Sequence, residues 1–78
     1  MNPEILLHWV ELQLGRKKVK MNDRFYEDLG ANSIDMLHLV ARIEENTGIY
    51  IPEEKVSEFK TIQKLYDYIL EAVKNEHI

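Results

Sequence analysis

Ile62, Leu65, Tyr66, Ile69 and Val73 recur at i, i+3, i+4, i+7 and i+11, and no stretch elsewhere supplies a pair of strands to compete with that period. Such spacing gathers apolar side chains on one side of a 3.6-residue spiral, with Thr61 as the cap. A helix with one apolar stripe folds only against other apolar surfaces, and the chain supplies them. Asn2 and Pro3 read as a cap and a first-turn residue, Ile5, Leu6, Trp9, Val10 and Gln13 or Leu14 keep the helical period, and Gly15 is a stop. Trp9 lies in that stripe and is expected in the core. Asn32 caps another helix, over about Ser33 to Thr47, which Gly48 ends. Ile49-Tyr50-Ile51 alternates like a strand but has no partner strand. Pro52-Glu53-Glu54 opens a short helix through about Phe59, and 75–78 should fray. The fold class is therefore all-α, with four helices of which the third is short.

Seventy-eight residues with 45% hydrophobic content make one small domain over 1–78. A core of that size rarely supplies more than roughly 3–5 kcal/mol without a staple. The chain has no Cys, which excludes a disulfide framework and a Cys-based zinc site and points to a reducing compartment. No apolar run nears the roughly 18 residues of a spanning helix, and Met1-Asn2-Pro3-Glu4 does not read as a secretory signal. The expectation is a soluble, cytoplasmic protein, and its initial Met favours a free-standing one. Net charge is −4, although Arg16, Lys17, Lys18 and Lys20 hold four of the ten basic residues within five positions. The remaining acidic body argues against nucleic acid and for partners with basic surfaces. The basic cluster itself reads as a solvated loop.

From Arg16 to Asn32 the periodicity lapses, leaving Val19, Met21, Phe25, Tyr26 and Leu29 as apolar anchors. A loop so long in a small domain is either functional or hides an element, and Asp23 to Leu29 has room for one helical turn. Phe25 and Leu29 should pin it and deliver Gly30 and Ser33 to a fixed place. Ser33 then stands in the first turn of the second long helix, where backbone N–H groups lack intrahelical acceptors and the macrodipole is positive. An anion attached to its hydroxyl, such as a phosphate ester, would be held there favourably.

That second helix carries two apolar stripes. Met36, Leu39, Val40 and Ile43 form one; Ile34, Leu37 and Ala41 form another, bordered by His38, Glu44 and Glu45. The second stripe is either a docking surface for a partner helix or enzyme, or a surface covered by the loop. Catalysis is a poor reading of Ser33, Asp35 and His38, because residues five apart do not share a helical face and His38 cannot serve Ser33 as a base. The Gly-x-Ser-x-Gly elbow is absent. His8, His38 and His77 lack any partner at metal-ligand spacing beyond the acid at Asp35, so no metal site is expected.

The ordered set Glu27-Asp28-Leu29-Gly30-Ala31-Asn32-Ser33-Ile34-Asp35, Leu39-Val40, Ile43-Glu44-Glu45, Ile51-Pro52 and Thr61-Ile62…Tyr68-Ile69 resembles the phosphopantetheine-dependent acyl carrier proteins over essentially the whole chain. The resemblance implies a four-helix bundle with a short third helix and a long loop between helices one and two. It implies a non-catalytic, monomeric carrier of acyl thioesters. A phosphopantetheinyl transferase would move 4'-phosphopantetheine from coenzyme A onto Ser33, and fatty-acid, polyketide or related enzymes would use the loaded arm. A chain without Cys must borrow its thiol, and a tethered thiol reaches enzymes at effective concentrations on the order of millimolar. Partner docking falls on Asn32, Ile34, Asp35, Leu37, His38, Ala41, Glu44 and Glu45. An acyl chain would slip between helices against Met36, Leu39, Val40, Ile62 and Tyr66.

Two departures stand out. The family's usual Asp-Ser-Leu is Asn32-Ser33-Ile34, and its acidic second helix here includes His38, Arg42 and Asn46. Charge complementarity sets partner choice and on-rate, so the expectation is a specialised carrier serving an accessory or secondary-metabolite pathway. An aminoacyl or peptidyl carrier is the alternative within the class. A small helical adaptor acting through protein contacts alone is the alternative outside it.

Overall fold

In the computed structural model, which describes residues 1–76, the chain forms α1 (Pro3–Leu14), α2 (Ser33–Thr47), α3 (Glu53–Val56) and α4 (Ile62–Glu76), with no strand among the described residues. Local chemistry sets each boundary. Asn2 Oδ1 accepts from the Glu4 amide at 2.9 Å, and Pro3 occupies a position where a missing N–H costs nothing. At the far end the amides of Gly15 and Arg16 both donate to Glu11 O, closing the last turn of α1. The Gly48 amide does the same for α2 through Glu44 O at 2.9 Å.

The core is assembled from one stripe of each long helix. Leu6 and Val10 of α1, Met36, Leu39 and Ile43 of α2, and Ile62, Leu65 and Ile69 of α4 are fully buried, with Phe25 between them. Burying each such side chain is worth about 1.5–3 kcal/mol, so the stripes hold the helices together. Trp9 is half-buried and packs against this cluster from its edge. Tyr66 is also half-buried, and its hydroxyl donates to Met1 O at 2.6 Å, tying the start of the chain to α4.

α3 is shorter than its acidic start suggests. It ends at Val56, not Phe59, because the Glu58 and Phe59 amides donate three residues back, to Lys55 O and Val56 O, and tighten the chain into turns. This turn buries Phe59 and brings its ring to 5.3 Å from that of Tyr68 on α4. α4 extends to Glu76, three residues beyond Val73, which with Ala72 still packs on the core. Positions 77 and 78 lie outside the described residues.

The long connection from Gly15 to Asn32 is not a loose loop. Asp23 to Leu29 contains a single helical turn in which the Asp28 and Leu29 amides both donate to Arg24 O. Phe25 is fully buried and Leu29 nearly so, pinning it as expected. Its backbone is also stitched to the start of α4. Phe25 N donates to Lys60 O at 3.0 Å, while the first amides of α4, on Ile62 and Gln63, donate to Asp23 O and Met21 O at 3.2 and 2.7 Å. Those helix-terminal donors have no partner within their own helix, so the connection caps α4 as α4 anchors the connection. The Thr61 hydroxyl completes the cap by accepting from Lys64 N at 3.2 Å.

Candidate functional site

The connection delivers its last residues to the N-terminus of α2. Gly30 takes φ +66°, a left-handed conformation costly for any residue with a Cβ, and reverses the chain between buried Leu29 and buried Ala31. The Ala31 amide donates to Phe25 O at 2.9 Å, fixing the segment to the pinned turn. Asn32 then forms a reciprocal cap with Asp35: Asn32 Oδ1 accepts from Asp35 N at 2.8 Å, and Asp35 Oδ2 accepts from Asn32 N at 3.1 Å. The first intrahelical bond runs from Met36 N to Asn32 O.

Ser33 is thereby held at the first position of α2 with its side chain exposed and its hydroxyl unbonded among the described residues. The Ser33 and Ile34 amides, too early in the helix for an intrahelical acceptor, also find none among the described residues. Two free donors and the positive end of a 15-residue helix thus face the space around one accessible hydroxyl. That space is an open groove of about 480 Å³ between α2 and α3, lined by Tyr26, Ser33, Leu37, Glu53, Glu54, Val56 and Ser57. Ser57 shares the groove, but its hydroxyl donates to Glu54 O at 3.5 Å. Tyr26 and the α3 residues were missed from the sequence. They come from two separate segments, the connection and the α3 region, and no periodicity relates either to α2.

The second stripe of α2 is not covered by the connection. Ile34 is 62% exposed, Leu37 39% exposed, and Ala41 is exposed as well. The charged residues around it divide. Leu37 faces the groove on the α3 side, whereas His38, Ala41 and Glu45 border a recess of about 270 Å³ on the α1 side with Gln13, Arg42 and Asn46. Glu44 is half-buried, and its carboxylate accepts from Ile51 N at 2.8 Å, holding the link between α2 and α3. Asp35 likewise has one oxygen in the cap. Met36, Leu39, Val40 and Ile62 are core residues, with Tyr66 at the edge. His8 and His38 are exposed, His77 lies outside the described residues, and no metal-binding group occurs among those described.

The basic stretch is less uniform than a solvated loop. Lys17, Lys18 and Lys20 are exposed, but Arg16 Nε donates to Leu29 O at 3.2 Å, just before the Gly30 reversal. On the other side of the helical turn, Asp28 accepts from the Arg24 guanidinium and from Arg24 N. The guanidinium bond, then the backbone bond, hold its carboxyl below the usual carboxylate range. The pair raises Arg24 in turn.

Residues 6–69 match the family described as "Phosphopantetheine attachment site". The acyl carrier protein of Treponema denticola is 42% identical over 59 residues, covering 76% of each chain. That of Treponema pallidum is 40% identical over 63 residues, covering 81% of each. That of Chloroherpeton thalassium is 33% identical over 64 residues, covering 82% of this chain and 80% of its own. The chain belongs to the acyl carrier protein family. It is a non-catalytic carrier, and the family carries 4'-phosphopantetheine in covalent linkage. The N-terminus of α2 fits a phosphate-linked arm: it offers an accessible oxygen, two unengaged amides and the favourable end of a helix dipole. None of the described helices is long and apolar enough to cross a membrane.

Proposed function

We propose that this carrier holds acyl groups as thioesters on a 4'-phosphopantetheine arm attached at Ser33 and presents them to fatty-acid, polyketide or related biosynthetic enzymes. The observation that carries this reading is the exposed, unbonded Ser33 hydroxyl at the capped start of α2, inside the matched region. In the attachment step a phosphopantetheinyl transferase joins the Ser33 oxygen to the phosphorus next to pantetheine. The hydroxyl proton is released, and the adenosine 3',5'-bisphosphate half of coenzyme A departs. Bound there, the arm supplies the thiol that a chain without Cys lacks. Ser33 and Ile34 amides stabilise the phosphodiester charge, and the Asn32–Asp35 cap keeps those amides aimed outward.

Docking is assigned to α2 from Asn32 to Glu45. Ile34, Leu37 and Ala41 supply an exposed apolar strip, and His38 and Glu45 supply charge beside it. Asn32, Asp35 and Glu44 serve the same surface by fixing its ends, since one side-chain oxygen of each accepts a backbone amide within the chain. A bound acyl chain enters by parting α2 from α4 at Met36, Leu39, Val40, Ile62 and Tyr66, displacing packing in a core of small total stability. His38 and Arg42 on the docking helix favour partners other than those built for a wholly acidic helix, which supports a specialised role. The shared name of the relatives favours acyl over aminoacyl cargo. The test is intact mass after incubation with coenzyme A and a broad-specificity phosphopantetheinyl transferase. Wild type gains one phosphopantetheinyl group and Ser33→Ala gains none; equal gain by both would remove Ser33 from the reading.

A further inference from the structure

We propose that Arg16 is a positioning residue for attachment at Ser33, an inference that rests on the Ser33 reading above. The Arg16 backbone is fixed to the end of α1, where its amide donates to Glu11 O at 3.1 Å. From there the side chain reaches 13 positions along the chain, and Nε donates to Leu29 O at 3.2 Å. Its Nη2 lies 3.4 Å from where a Cβ on Gly30 would stand, so the guanidinium rests against the open side of that glycine. No carboxylate pairs with it among the described residues.

Gly30 sits at φ +66° and is the natural hinge of the segment. Two bonds bracket it: Arg16 to the carbonyl before it, and Ala31 N to Phe25 O after it. With the first removed, the peptide between Leu29 and Gly30 is free to rotate, and the spread of orientations passes to Asn32 and Ser33. Group transfer needs the hydroxyl in a near-attack geometry, so loosening acts on the chemical step more than on encounter. Lys17 is adjacent and exposed and makes no side-chain bond among the described residues, which makes it the matched control for charge alone.

Transfer from coenzyme A by a broad-specificity phosphopantetheinyl transferase would be measured for wild type, Arg16→Met, Arg16→Gln and Lys17→Gln. Arg16→Met, which keeps an unbranched side chain but has no N–H, should lower kcat about tenfold while KM for coenzyme A and for the carrier stays within about twofold. Arg16→Gln, whose Nε2 is a donor at the same distance along the side chain as the arginine Nε, should recover part of the loss without the charge, and Lys17→Gln should behave as wild type. Amide exchange at Ala31 and Asn32 should quicken in Arg16→Met while its helical circular dichroism matches wild type. Equal loss in Arg16→Met and Lys17→Gln, a change confined to KM, or wild-type kinetics in Arg16→Met would each overturn the proposal. A wild-type chain that takes no phosphopantetheine would refute the Ser33 reading itself, and the positioning role with it.

Discussion

Replacing Asn32 by Ala removes the Oδ1 acceptor that Asp35 N uses at 2.8 Å while leaving every core contact in place. Loss of an N-cap acceptor costs about 1 kcal/mol, within a range of roughly 0.5–2. Against a core worth roughly 3–5 kcal/mol in total, that is a large fraction. For a domain of this size it lowers Tm by about 4–8 °C, and in urea it moves the midpoint down by about 1 M where the slope is about 1 kcal/mol/M. Asn32→Gly separates the cap from side-chain loss in general, since glycine at that position costs only about a few tenths of a kcal/mol. The order wild type, Asn32→Gly, Asn32→Ala should hold in both thermal and urea unfolding followed by far-ultraviolet circular dichroism. Amide exchange should accelerate at Asp35 before it does in the middle of α2. An Asn32→Ala variant within about 1 °C of wild type would refute the reasoning, because a helix start that survives loss of its cap is held by something other than the Asn32–Asp35 pair.

Leu37→Asp should slow acyl loading while leaving helical circular dichroism nearly intact, because Leu37 is 39% exposed; collapse of the fold would instead place that side chain in the core. Asp28 carries a pH signature. Its folded pKa lies below its unfolded value, so its contribution is present above about pH 3.9 and is lost as pH falls through the depressed folded value. Stability measured across that acid window should decline less steeply in Asp28→Asn than in wild type, and parallel curves would discount the pair. Leu65→Ala, at a fully buried position on α4, should cost about 2–5 kcal/mol and leave little cooperative unfolding, whereas a sharp transition near the wild-type midpoint would contradict the assignment of the core.

The helices were legible in the sequence because each announces itself twice, by period and by ends. α1 and α2 run from Asn2 and Asn32 to Gly15 and Gly48, the capping residues read from composition alone. Ser33 was legible for the same reason: a residue that follows a capping Asn must stand in the first turn. The reciprocal bond from the Asn32 amide to the Asp35 carboxylate also has a signal, the three-residue spacing of a capping box. Other features had none. The bonds from Ile62 and Gln63 to Asp23 O and Met21 O join backbone to backbone across some forty positions and leave no trace in side-chain type. Glu44 looked like surface charge because nothing in a helical period shows that Ile51 N lies within its reach. The length of α3 depended on the burial of Phe59 against Tyr68, a tertiary contact that overrides local propensity.

The central claim is that one hydroxyl of this chain, and a particular one, takes the prosthetic arm. The chain has two serines, and both line the same groove. After modification by a transferase with coenzyme A, trypsin separates them, Ser33 in peptide 25–42 and Ser57 in peptide 56–60. Fragment-ion mass spectrometry should place the phosphopantetheinyl group on Ser33 alone. Finding it on Ser57, or on neither peptide of a modified chain, would contradict the account.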